Sequence, residues 1–225
     1  RPPERAAAGA RTDTCGRHDG NAMHDEDDDE AAGGDFAGAD DRAPVLQAVL
    51  RFARLAPRVA WFSSLGEALS PAEASDARAY VEALGLPEAH VTPVADWEEA
   101  EAAIRNPGWN SAWWEAEELS RTALIAMALE HMAEADLLAA LSQVTASAAQ
   151  SVHGAAAIAA ARSGLSDEGL IRAAAGAATQ ACYQAALVLA SVPSSDAEHP
   201  FALKFRLYEA GRWPLGIVGT SFNLF

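Results

Sequence analysis

Apolar positions first fall into step at Val45. Val45, Leu46, Val49, Leu50, Phe52, Ala53 and Leu55 recur at helical spacing behind Pro44, which suits a first turn, and predict a helix ending near Pro57. A second, shorter helix is expected over Val59 to Leu69. Ser70-Pro71-Ala72-Glu73 then reads as an N-cap, a proline at the first helical position and an acid in the first turn, and the helix it opens should stop at Gly85, ahead of Pro87. Ala89 to Pro93 is a connector with room for a short extended piece. Asp96 caps a helix through Arg105, which Asn106-Pro107-Gly108 ends.

Between Asn110 and Arg162 there is no proline and only Gly154 as glycine, so the stretch is either one very long helix or at least two. After a turn at Ser163 to Glu168, a last helix should run to about Ser191. Alanine crowds both later segments. Small side chains permit close backbone approach, so Ala155 to Arg162 and Ala173 to Leu189 are expected to form a tightly packed antiparallel pair. Past Pro200 the period changes to two: Phe201, Leu203, Phe205 and Leu207 alternate with Ala202, Lys204, Arg206 and Tyr208, and Val218, Thr220, Phe222 and Leu224 alternate again. Two strands joined through the turn-rich stretch 209–216 give a C-terminal β-hairpin over 201–225, with its apolar face on the helices or against another subunit. The fold class is therefore mainly α, a bundle of about six or seven helices closed by that hairpin.

Residues 1–43 show no such periodicity. They carry Gly, Arg and the run Asp25-Glu26-Asp27-Asp28-Asp29-Glu30, with too little apolar surface to offset ordering entropy, and read as a disordered acidic leader. Met23 stands where the Arg/Ala/Gly segment gives way to the acidic run, which makes residues 1–22 candidates for non-native sequence. Residues 44–225 are then a single helical domain.

Charge narrows the function classes. With 32 acids against 16 bases the net charge is −16, and nucleic-acid binding, which needs a basic face to neutralise phosphates, is disfavoured. Lys204 is the only lysine, and alanine is abundant, a composition expected of a high-GC bacterial genome. Two cysteines, Cys15 and Cys182, make no disulfide framework, and no apolar run is long enough to span a bilayer, so a soluble cytoplasmic protein is expected, with no membrane partner.

Three clusters could carry chemistry. Glu130, His131 and Glu134 lie in the long helical stretch, and two of them share an apolar side of a straight helix, as ligands of a divalent metal would; the order Glu-His and His-x-x-Glu departs from the Glu-x-x-His pairs of two-metal bundles, and a helix break there would leave them solvated. Gln150 and His153, with Gln180, Tyr183 and Gln184 on the neighbouring helix, could line a small-molecule pocket or satisfy one another. Lys204, Arg206 and Arg212 precede Trp213 in a chain short of positive charge, a patch for an anionic ligand, a partner's acidic segment or this protein's own carboxylates. Cys182 reads as a small buried hydrophobe, and Trp109 and Trp113, one turn apart, as a core or interface anchor. There is no phosphate-binding glycine loop, no CxxC, no HExxH and no GxSxG.

These features lean away from catalysis. The leading expectation is a non-catalytic protein that binds another protein, or a second copy of itself, through the Arg212 and Trp213 region or the Ala-rich helix pair. The alternatives are a metal-binding bundle or metal-dependent enzyme using Glu130, His131 and Glu134, and a helical small-molecule binder.

Overall fold

The computed structural model describes residues 37–191 and 197–225, so the acidic leader lies, up to residue 36, outside the described residues, as does the question of residues 1–22. In chain order the elements are α1 (Ala37–Leu55), a 3-10 turn (Ala56–Arg58), α2 (Pro71–Ala83), β1 (His90–Pro93), α3 (Trp97–Ile104), α4 (Ser111–Leu129), α5 (Glu134–Arg162), α6 (Glu168–Ser191), α7 (Pro200–Glu209), β2 (Pro214–Val218) and β3 (Ser221–Leu224). The fold is mainly α, with seven α-helices among the described residues. None of them is long and apolar enough to cross a membrane.

Local signals set most boundaries. Ser70 and Glu73 form a reciprocal capping box at the start of α2, with the Glu73 carboxylate accepting from the Ser70 backbone N–H at 2.7 Å. Asp96 and Asn110 accept from the third residue of α3 and α4 in the same manner. The stretch 110–162 is two helices, broken between the C-cap Glu130 and the N-cap Ala133. Beyond the turn at Gly164, α6 folds back along α5, and Ala148, Ala156 and Ala160 on one side and Ala174, Ala178 and Ala181 on the other are wholly buried. α1 lies across this pair with Val45, Val49 and Ala53 inward.

The leader is shorter than expected, since residues 37–43 are helical and Pro44 stands inside α1 instead of in its first turn. Two further expectations fail, each for a physical reason. Val59 to Leu69 is a series of turns and no helix: Trp61 and Phe62 are buried anchors, Phe62 sits at φ 58°, and the Arg212 guanidinium satisfies the carbonyls of Ser64, Glu67 and Ala68 that a helix would have bonded internally. Residues 201–208 are helix α7 and no strand. This helix is buried on two sides: Phe201, Phe205 and Tyr208 enter the bundle core, while Leu203 and Leu207 enter a second core with Tyr80, Val81, Ile217 and Phe222. Two apolar stripes at helical spacing interleave, and along the chain they read as alternation.

The hairpin is accordingly shorter than expected and confined to β2 and β3. It also recruits β1, giving a three-stranded sheet in the order β1-β3-β2, parallel between β1 and β3 and antiparallel between β3 and β2. Val91 pairs with Phe222 and Ile217 with Phe222, and a bulge lies between Pro214 and Gly216. This sheet and α2 clasp α7 from the side opposite the bundle, which is what brings the polar residues of α7 into the interior.

Candidate functional site

The chain's only lysine is inside the protein. Lys204, on α7, is 7 % exposed, and its Nζ donates to Glu117 Oε1 at 2.6 Å; Glu117, on α4, is 3 % exposed. Glu117 shares the inward face of α4 with Trp113, Leu124 and Ala128, at spacings of four, seven and four residues, so the helix delivers a carboxylate to the core. Burying such a pair is favourable only when further hydrogen bonds surround it. Tyr80, on α2, donates its O–H to the same Glu117 oxygen at 2.5 Å and itself accepts from Trp113 Nε1 at 2.8 Å, while Gln184 Nε2, on α6, donates to Glu117 Oε2 at 3.3 Å. The Lys204 ammonium also stands 5.8 Å from the centre of the Trp113 ring, within cation–π range.

A cleft of about 190 Å³ opens onto this pair. Glu117, Lys204 and Tyr208 line it together with Trp109, Trp113, Trp114, Ala173, Ala177 and Gln180, and Trp213, Pro214 and Leu215 complete the wall. Trp109 and Trp113 stack with ring centres 5.8 Å apart. Their place depends on Gly216 of β2, at φ 118°, where a Cβ would come within 2.6 Å of the Trp109 ring and 2.7 Å of the Trp113 ring. Trp114 is 54 % exposed at the mouth.

The polar groups of the cleft are incompletely used. Tyr208 is wholly buried and its hydroxyl has no hydrogen-bond partner; the Gln184 Oε1 behind the pair has none either. Lys204 commits one of its three N–H donors to Glu117, and Glu117 Oε2 holds only the longer bond from Gln184. Burial, and secondarily the Glu117 carboxylate, pushes the Tyr80 and Tyr208 phenols well above the usual tyrosine range, so both stay protonated near neutral pH. Burial likewise pushes the Cys182 thiol up to about 12, and the thiol is no nucleophile.

The clusters read from the sequence are placed otherwise. Arg212 and Trp213 are each 2 % exposed and offer no contact surface: Arg212 donates to both oxygens of Glu73, at 2.7 and 3.3 Å, and to three loop carbonyls, while Trp213 packs on Phe62 and Trp97. Arg206 is exposed and pairs with Asp76 at 3.4 Å. Gln150 and His153 face solvent on α5, so the expected pocket does not form; Gln180 lies on the rim of the cleft instead, and Tyr183 is half-buried beside Arg121. Glu130, His131 and Glu134 are exposed around the α4–α5 break, and among the described residues no three His, Cys, Asp or Glu side chains are placed to hold a metal.

Sequence reasoning gave no role to Glu117, Tyr80 or Tyr208, grouped Gln184 with a different cluster, and took Lys204 for surface charge. Two signals were available. Glu117 interrupts the apolar stripe of its helix, and Lys204 is a lone lysine among Phe201, Leu203, Phe205 and Leu207. No protein-family model, no curated protein and no solved structure matches this chain.

Proposed function

We propose that this protein binds a small molecule, without transforming it, in the tryptophan-lined cleft above Glu117 and Lys204. One observation carries the reading: Tyr208, a residue of the cleft lining, is wholly buried and its hydroxyl has no partner. Buried polar groups are nearly always hydrogen-bonded, and leaving one unmet costs about 1 to 3 kcal/mol, which a phenylalanine at this position would avoid. A ligand polar atom is the partner that makes the hydroxyl worth keeping. The buried ion pair fits the same reading, since such pairs are weak contributors to stability compared with apolar residues of similar volume. Indole walls around a few convergent polar groups are the usual composition of a ligand site.

The test is fragment binding to the intact chain, with single-ring aromatic probes (toluene, benzamide, benzoate and benzylamine) followed by tryptophan emission and isothermal titration. Ala177→Leu serves as the control, because it adds bulk at the cleft wall and removes no hydrogen-bonding group. Saturable binding by at least one probe that Ala177→Leu abolishes supports the reading. Failure of every probe at millimolar concentration, or binding indifferent to Ala177→Leu, would overturn it.

A further inference from the structure

Resting on the cleft as a binding site, we propose that its ligand is a neutral, flat, single-ring compound carrying a hydrogen-bond acceptor and donor side by side, as an aromatic or ring amide does. Size comes first. The cleft measures about 190 Å³, little more than the roughly 150 Å³ of an apolar cavity that holds one benzene ring. Shape is argued from the lining, in which four indoles join the small side chains of Ala173 and Ala177, a composition suited to a flat ring.

Charge decides the head group. Among the described residues Glu117 and Lys204 are the only charged ones lining the cleft, and they already neutralise each other at 2.6 Å. A carboxylate ligand would bring a second anion beside Glu117, and an ammonium ligand a second cation beside Lys204, each in a site with few waters to screen it. A neutral ligand meets neither repulsion. What the site does offer is a spare N–H on Lys204, an under-used acceptor at Glu117 Oε2, and the unpartnered Tyr208 hydroxyl, which can donate or accept. A carbonyl oxygen, with its two lone pairs, takes bonds from both Lys204 and Tyr208, and the adjacent N–H donates to Glu117. An amide edge holds both at the required adjacency, and an ester or ether holds only the acceptor.

The probes share one ring and differ in head group, so their order reads the head-group preference directly. Benzamide should bind about tenfold or more tighter than toluene, and tighter than benzoate and benzylammonium at pH 7, where both are ionised. Tyr208→Phe, which removes a hydroxyl with no partner in the protein and so leaves folding intact, should weaken benzamide about three- to tenfold and leave toluene unchanged. Equal affinity across the set, or benzoate binding tightest, would overturn the neutral-amide inference while the binding reading stands. Binding of benzamide that Tyr208→Phe does not weaken would do the same. Failure of all four probes would overturn both.

Discussion

Replacing Lys204 by methionine keeps an unbranched apolar stem as far as Cε and removes the terminal ammonium with its charge and donors. Glu117 is then left 3 % exposed with Tyr80 and Gln184 as its remaining partners, a buried carboxylate without its countercharge. Breaking a buried pair from one side costs about 3 to 5 kcal/mol, a large part of the total stability of a domain this size. Glu117→Gln in the same background should recover most of that loss. The new amide oxygen still accepts from Tyr80, and its NH₂ can donate to Gln184 once the Gln184 amide turns its unpartnered Oε1 forward. The double variant should therefore lie within about 1 to 2 kcal/mol of the parent, giving a coupling of at least about 2 kcal/mol between the two sites. Urea unfolding followed by far-ultraviolet circular dichroism reads all four corners of the cycle, with unchanged denaturant slopes as the check that folding remains two-state. A loss below about 1 kcal/mol for Lys204→Met alone would refute the reasoning, because that is the worth of a solvated pair. The cycle also separates stability from function: the double variant should fold and yet bind benzamide weakly, having lost the ammonium donor and the carboxylate acceptor.

Three further outcomes are expected. The Arg212 guanidinium bonded to Glu73 holds that carboxyl at about 2, below its ordinary 4.5, so the clamp contributes stability above pH 4.5 that is lost as pH falls toward 2; unfolding free energies from urea titration at pH 6 and pH 3 should differ by about 1 to 2 kcal/mol more in the parent than in Glu73→Gln, the full shift being reduced by the side chain's residual contact with water. Gly216→Ala drives a methyl into Trp109 and Trp113 at a positive φ and should cost about 2 kcal/mol or more, with loss of the near-ultraviolet signal of the stacked indoles; an unchanged signal would show that Gly216 does not set them. Cys182, wholly buried with its thiol near 12, should resist iodoacetamide in the native protein at pH 8 and react after unfolding, as read by mass spectrometry of its peptide; native labelling would contradict the packing of α6.

How much of this was legible in the sequence depended on how local the signal was. The N-cap at Ser70, the cap at Asp96 and the stop at Gly85 act within one turn of chain, and each falls where the spacing predicts. The same holds for the Ala-rich pair, whose closeness is a property of the side chains on both helices. What failed was non-local. Residues 201–208 carry a period-two pattern because two different cores claim opposite sides of one helix, and that is decided by where α2 and the sheet dock. Val59 to Leu69 loses its helix to an arginine more than 140 residues away.

The site was hidden for a related reason. Its members come from α2, α4, α6 and α7, with 37, 67 and 87 residues between Glu117 and its three partners. No short motif can span such separations, so a search for spacing patterns led to Glu130, His131 and Glu134, which are close in sequence and solvated in the fold. The better guide is the exception within a regular pattern. An acid on the buried stripe of α4 and a single lysine in an apolar helix each break the rule that charge stays outside. Two such breaks of opposite sign in one chain can cancel each other's desolvation cost only by meeting, and that requirement predicts their contact without any knowledge of the topology between them.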